Sequence, residues 1–224
     1  MNTRRAIILI GPPGSGKGTQ ANLLATKLGF YRFEMSKIIE KHFAQADSND
    51  LVIEEEKRKW LAGQLMSTWI IDKWALEALS EISKLDQGIV LEGWPRNLEE
   101  MEKIEDIEKY YGKENIDIVE ISLSEQESVK RNTVRKICVE NRHSIPLTLP
   151  EFKDVTKCPY CNSELQVRGL DKPDVIKERY QVYLRETEPM IGFLKNRGYE
   201  IKTVNGEQSI EDVLKDILKS LGIS

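Results

Sequence analysis

The sequence predicts an α/β fold built on a parallel sheet, and three observations carry that prediction. Apolar runs of strand length stand at Ala6–Ile10, Gly88–Leu91, Ile116–Leu123 and Tyr199–Val204. Helical periodicity fills the intervals, over Lys17–Leu28, Ile70–Leu85, Leu98–Tyr111, Glu125–Ile137, Pro173–Asn196 and Ser209–Leu221. The first strand passes into the first helix through the glycine-rich turn Gly11-Pro-Pro-Gly-Ser-Gly-Lys-Gly-Thr19. Strands that alternate with helices form parallel sheets covered by helices on both faces.

That first turn carries the chemistry. Glycines let the backbone curl until its N–H groups face anionic oxygens, and the helix that follows adds the positive end of its dipole. Lys17 brings a full charge to the terminal phosphates, and Thr19 a hydroxyl for Mg²⁺. Gly18 separates the lysine from the hydroxyl, where the general phosphate-loop pattern has them adjacent. Ligands of such sheets bind beyond the carboxyl ends of the strands, which is where this turn lies.

Two stretches break the alternation. Residues 35–69 are polar and helical without a strand, and residues 138–171 hold Pro146, Pro150 and Cys158-Pro-Tyr-Cys161 with little periodicity. Both read as insertions on a core made of residues 1–34, 70–137 and 172–224. A chain of 224 residues can bury a substantial core. The 33 basic and 37 acidic residues leave a net charge of −4, which argues against a general nucleic-acid binder. No apolar run has the length of a membrane span, and the N-terminus has no long apolar signal segment. Three cysteines make no disulfide framework, so a reducing, cytoplasmic setting is expected, and the lack of a long apolar surface stripe makes a monomer the expectation.

After the strand at Gly88–Leu91 comes Glu92-Gly-Trp-Pro-Arg-Asn97. A carboxylate at a strand end facing a phosphate loop can hold Mg²⁺ through water. Gly93 permits close backbone approach, and Pro95 fixes a turn that aims Arg96 at the phosphates. Together these elements resemble the adenylate kinase branch of the nucleoside monophosphate kinases. The family's loop reads Gly-x-Pro-Gly-x-Gly-Lys-Gly-Thr and its second signature Asp-Gly-Phe-Pro-Arg; here Glu92 and Trp94 replace the Asp and the Phe. The likeness continues through Arg131-x3-Arg135, Glu164-Leu-Gln-Val-Arg168, Arg179-x3-Tyr183 and Glu186-Thr-Glu-Pro-Met-Ile191.

The resemblance implies a three-layer P-loop NTPase fold with a helical insertion that binds the nucleoside monophosphate and a zinc-ribbon-like lid. It implies Mg-dependent, reversible transfer of the ATP γ-phosphoryl to a nucleoside monophosphate, AMP by default and GMP or another by variation. Lys17, Arg96, Arg131, Arg168 and Arg179 are the implied catalytic cations. Gly14, Ser15, Gly16, Lys17, Gly18, Thr19, Arg131 and Arg135 would bind ATP. Phosphoryl transfer suits such a set, because its transition state spreads charge over equatorial oxygens that planar guanidinium groups bind with two hydrogen bonds.

The acceptor segment departs from the family most. The family's Ser-Thr-Gly-Asp-x-x-Arg appears as Glu34-Met-Ser-Lys-Ile-Ile-Glu40, which turns the phosphate-gripping arginine into an acid. A one-residue shift would bring Ser36 and Lys41 into the vacant roles. Met35, Ser36, Lys41, Met66, Gly93, Arg96, Glu100, Arg168 and Arg179 are the implied acceptor residues. Glu100 stands where the family reads adenine with Gln; an ionised carboxylate suits the donor edge of guanine, unless it simply faces solvent in the run Glu99-Glu-Met-Glu102. In the insertion, the family's four-cysteine spacing is met by Cys138, Cys158 and Cys161, with Asn141 in the fourth place and His143 as a substitute ligand for a structural zinc. The alternative to an enzyme is a nucleotide-binding regulatory protein derived from an adenylate kinase with a degenerate acceptor site.

Overall fold

The computed structural model describes residues 4–47, 49–140, 143–148, 152–167 and 171–223. Its centre is β1 (Ala6–Ile10), whose five residues are all buried. A strand covered on both faces needs apolar side chains at every position, which Ala-Ile-Ile-Leu-Ile supplies. Ala6, Ile8 and Ile10 join one core layer, while Ile7 and Leu9 join the layer on the other face.

Five parallel strands form the sheet in the order β2 (Tyr31–Glu34), β3 (Ile89–Glu92), β1, β4 (Ile116–Ser122), β8 (Ile201–Asn205). The chain leaves β1 toward β3 and β2 on one side and toward β4 and β8 on the other. The glycine-rich turn after β1 therefore lies at the point where strand order reverses, the usual ligand crevice of such sheets. Under one face, α1 (Lys17–Leu28) and α10 (Ile210–Ser220) bury Ala21, Leu24, Val213 and Ile217. On the other, α4 (Thr68–Ser83), α6 (Ile104–Tyr111) and α9 (Pro189–Asn196) bury Trp74, Leu79, Ile107 and Leu194.

The expected insertion over 35–69 holds α2 (Met35–Gln45) and α3 (Leu51–Leu61). Asp50 caps α3 by accepting the N–H groups of Val52 and Ile53, and Glu56 accepts Ser67 N–H at 2.7 Å, tying α3 to the start of α4. The segment expected as the second insertion, with the two residues before it, holds a three-stranded antiparallel sheet, β6 (Ser144–Ile145), β5 (Lys136–Cys138), β7 (Leu165–Val167). Its own core is small, with Cys138, Ile145 and Cys158 buried among Phe152, Val155 and Leu165.

Four expectations need correction. β2 is a strand that periodicity did not reveal, because Tyr31-Arg-Phe-Glu34 buries only Phe33 at the sheet edge. The helix expected over Leu98–Tyr111 is two, α5 (Leu98–Met101) and α6, parted at Glu102–Lys103. The helix α7 (Glu125–Val134) stops before Arg135, whose ψ of 141° is already extended, and Lys136 begins β5. The long C-terminal helix is α8 (Pro173–Val182), a π-helical turn over Tyr183–Thr187, then α9. Pro189 has no N–H for the regular ladder, and Glu188 instead donates to Tyr183 five residues back at 2.9 Å. Among the described residues, no helix is long and apolar enough to cross a membrane.

Candidate active site

The loop between β1 and α1 takes its shape from glycine. Gly16 caps α1 with φ of 93°, and Gly14 has φ of 80° where a Cβ would stand 2.3 Å from Asn132 Nδ2. Side chains at either position would be strained or would collide. Lys17 folds back over this loop and donates to Gly11 O at 2.6 Å and Pro12 O at 2.8 Å. Burial pushes its ammonium down to about 7; Glu92 pulls it up, and Arg96, Arg179 and Arg135 push it down again. The lysine thus sits in a nest of positive charge that an anionic ligand would relieve.

One cavity of about 410 Å³ opens above the carboxyl ends of β1, β2 and β3. Gly14 to Thr19 line its floor. Glu92, Gly93, Arg96, Met35 and Ser36 also line it, together with Arg131, Arg135 and Arg179. The lid reaches the cavity through His143 and Tyr160. Elements far apart in sequence therefore converge on one cationic crevice.

Each arginine is positioned by the fold. Arg131 is held by Glu127 one helical turn back at 2.9 Å and by Gly206 O at 2.9 Å. Arg135 grips Asp171 with two bonds, at 2.9 and 2.6 Å, and Arg179 Nη1 lies 3.8 Å from the same carboxylate. Gly63, in the turn after α3, packs so closely on α8 that a Cβ there would come within 2.8 Å of Arg179 Cγ. Arg96 follows the cis Trp94–Pro95 peptide. Its N–H donates to Glu100 Oε2 at 2.8 Å, and its carbonyl accepts the Thr187 hydroxyl at 2.6 Å. The indole that replaces the family's Phe is fully buried, and its N–H finds a partner in Asp72 at 3.1 Å.

Three predicted residues lie off the cavity wall, and one lies outside the described residues. Lys41 is exposed on α2, and Met66 is buried in the core. Glu100, expected either at the acceptor base or facing solvent, is only 2 % exposed and does neither. Its Oε1 accepts Asn97 Nδ2 at 3.1 Å, so both carboxylate oxygens are engaged by the chain's own turn. Burial raises its carboxyl to about 7, the N–H and charge of Arg96 pull it back, and Asp72 and Glu99 push it up. Arg168 lies outside the described residues, as does Asn141.

The structure adds a residue the sequence reading did not find. Arg32 lines the cavity from β2, with Nη2 3.0 Å from Glu34 and 3.8 Å from Glu92. β2 carries too weak a pattern to reveal it; the signal was a cation two residues before the departure at Glu34.

In the lid, Cys138, His143, Cys158 and Cys161 bring their ligand atoms within 4.8 Å of one another. His143 Nδ1 is 3.5 Å from Cys138 Sγ and 3.4 Å from Cys158 Sγ, and the Cys161 and Cys138 sulfurs are 3.7 Å apart. A tetrahedral ion with metal–sulfur bonds near 2.3 Å and metal–nitrogen bonds near 2.0 Å gives sulfur–sulfur edges of about 3.8 Å and sulfur–nitrogen edges of about 3.5 Å. The donor set fits such an ion.

The family model described as adenylate kinase matches residues 9–199. An adenylate kinase of Archaeoglobus fulgidus is 30% identical over 211 residues, which cover 94% of this chain and 95% of the relative. One from Petrotoga mobilis is 30% identical over 215 residues, 96% of each chain. One from Clostridium botulinum strain Langeland is 32% identical over 216 residues, covering 96% of this chain and 98% of the relative. With the loop, the cationic crevice and the sheet order in the same chain, these matches place it: the chain belongs to the adenylate kinase family of nucleoside monophosphate kinases.

Proposed function

We propose that this protein transfers the γ-phosphoryl of Mg-ATP reversibly to a nucleoside monophosphate, with AMP as acceptor. The observation that carries the reading is the single crevice lined at once by the loop Gly14–Thr19, by Glu92 and Arg96, and by Arg131, Arg135 and Arg179. Gly14 to Thr19 hold the donor phosphates through backbone N–H groups, and Arg131 and Arg135 clamp the donor from α7. Thr19 would hold Mg²⁺ through its hydroxyl and Glu92 through water, and the ion would neutralise phosphate charge. Lys17, Arg96 and Arg179, with Arg168 by family likeness, stabilise the charge on the transferred group. No general base is required, because the acceptor oxygen is already anionic.

In this reading residues 1–34, 70–137 and 172–224 form the core, 35–69 seat the acceptor and 138–171 form the lid. Met35, Ser36 and Gly93 border the acceptor's place on the crevice wall. AMP is favoured over GMP because both Glu100 oxygens are already taken by Arg96 and Asn97. Zinc in the lid fits the Cys₃His edges and would fold a segment whose apolar core is too small to stand alone. An ADP-forming assay with Mg-ATP and AMP, GMP, CMP, UMP or dTMP tests the function. AMP is expected to give the highest kcat/KM; a clear preference for GMP would overturn the acceptor assignment.

A further inference from the structure

We infer that Arg32 grips the phosphate of the acceptor nucleotide, an inference that rests on the kinase reading above. An acceptor must bring its phosphate dianion against the donor phosphates, at the carboxyl ends of β2 and β3 beside the loop. In the segment that follows β2, Glu40 carries the wrong charge and Lys41 is exposed and off the cavity wall. Arg32 has the right charge and the right place.

Its position follows from the strand. Arg32 stands two residues before Glu34 on β2, so both side chains leave the same face of the sheet. Glu34 pairs in register with Glu92 on β3, and the guanidinium lies against both carboxylates. A Cβ on Gly18 would stand 3.5 Å from Arg32 Nη2 and 3.6 Å from a Glu92 oxygen. The head group therefore lies between the first turn of α1 and the end of β3, where the two sets of phosphates meet.

The side chain is also held and still has capacity. It is 25% exposed, against 55% for Lys37, the other cation of this segment on the cavity wall. Its Nε–H is buried and has no hydrogen-bond partner among the described residues. A guanidinium offers five donors in a fixed plane, so it can keep one carboxylate contact while a forked pair of N–H groups meets a phosphate. Glu34 and Glu92 keep it in position before the acceptor arrives, which lowers the cost of ordering it on binding.

The test compares wild type with R32Q, R32K and K41Q. Acceptor KM and kcat are measured at saturating ATP, with AMP and ATP affinities by calorimetry and Tm as a check on folding. R32Q is expected to raise acceptor KM and AMP Kd about tenfold to a hundredfold while ATP Kd stays within about twofold. R32K is expected to recover part of that loss. Equal weakening of ATP and AMP in R32Q, or a raised acceptor KM in K41Q with R32Q unaffected, would overturn the inference. Absence of turnover in wild type with every nucleoside monophosphate would instead sink the kinase reading, and the AMP Kd of R32Q against wild type would still decide the role of Arg32.

Discussion

Asp171 accepts two hydrogen bonds from the Arg135 guanidinium, at 2.9 and 2.6 Å, and its side chain is fully buried. The two residues stand where the chain enters the lid after α7 and leaves it before α8, so one ion pair fastens both stems. It also holds Arg135 on the crevice wall and brings its carboxylate near Arg179. Removing one partner of a buried pair leaves the other charge uncompensated, at a cost of about 3 kcal/mol or more. Asp171→Asn is therefore expected to lower Tm by roughly 6 °C or more and to raise the KM for ATP. A thermal melt and a steady-state titration check it; an unchanged Tm would contradict the clamp.

Lys17 gives a proton-linked signature. Its ammonium lies at about 7 in this structure, chiefly through burial. Phosphate oxygens beside it favour the charged form and so raise that value. Above pH 7 the free site has lost the proton and the occupied site regains it, so ATP binding takes up protons and weakens as pH rises. Calorimetry at pH 8 in two buffers of different ionisation enthalpy is expected to show uptake approaching one proton. No uptake would contradict the placement of Lys17 against the phosphates. Lys17→Ala is expected to cut kcat about a hundredfold or more with Tm little changed.

Glu100 affects stability through pH. Its folded value of about 7 lies above the ordinary 4.5, so the native state holds the proton more tightly than the unfolded chain does. That protonated form is worth most at low pH. As pH climbs from about 4.5 to about 7 the advantage is lost and burial of the ionised group costs about 3 kcal/mol. Glu100→Gln keeps an acceptor for the Arg96 N–H, gives up the bond from Asn97 Nδ2, and removes the charge. It is expected to raise Tm at pH 8 by roughly 5 °C or more and to change it little at pH 5. An equal shift at both pH values would count against the buried carboxylate.

The lid metal is tested by removal. Wild-type protein is expected to carry about one equivalent of zinc, and a strong chelator to lower Tm and open the lid strands to proteolysis. His143→Ala is expected to lose most of the metal, since Nδ1 lies within 3.5 Å of two sulfurs. Metal-free protein with an unaltered melt would contradict a zinc-folded lid.

How far the sequence could be read depended on burial. β1 and α1 were legible because a central strand must be apolar throughout and a phosphate loop needs its glycines in place. The convergence of Arg96, Arg131, Arg135 and Arg179 was legible only through family likeness, because each alone is an ordinary surface charge. β2 was not, since an edge strand with one buried residue, Phe33, carries almost no pattern. Arg32 was hidden with it. The breaks around Lys103 and at the Tyr183–Thr187 turn preserve helical periodicity on either side, so only backbone geometry reveals them. Glu100 looked like part of a solvated acidic run; that a short turn and the Arg96 N–H draw it inward depends on tertiary packing.

The central claim is that the crevice passes a phosphoryl group between two nucleotides. The most direct measurement follows γ-labelled ATP incubated with Mg²⁺ and AMP. Label is expected in ADP at its β-position, at a rate that depends on AMP and falls about a hundredfold or more in Lys17→Ala. Label released only as inorganic phosphate, or retained in ATP that binds without turnover, would contradict it.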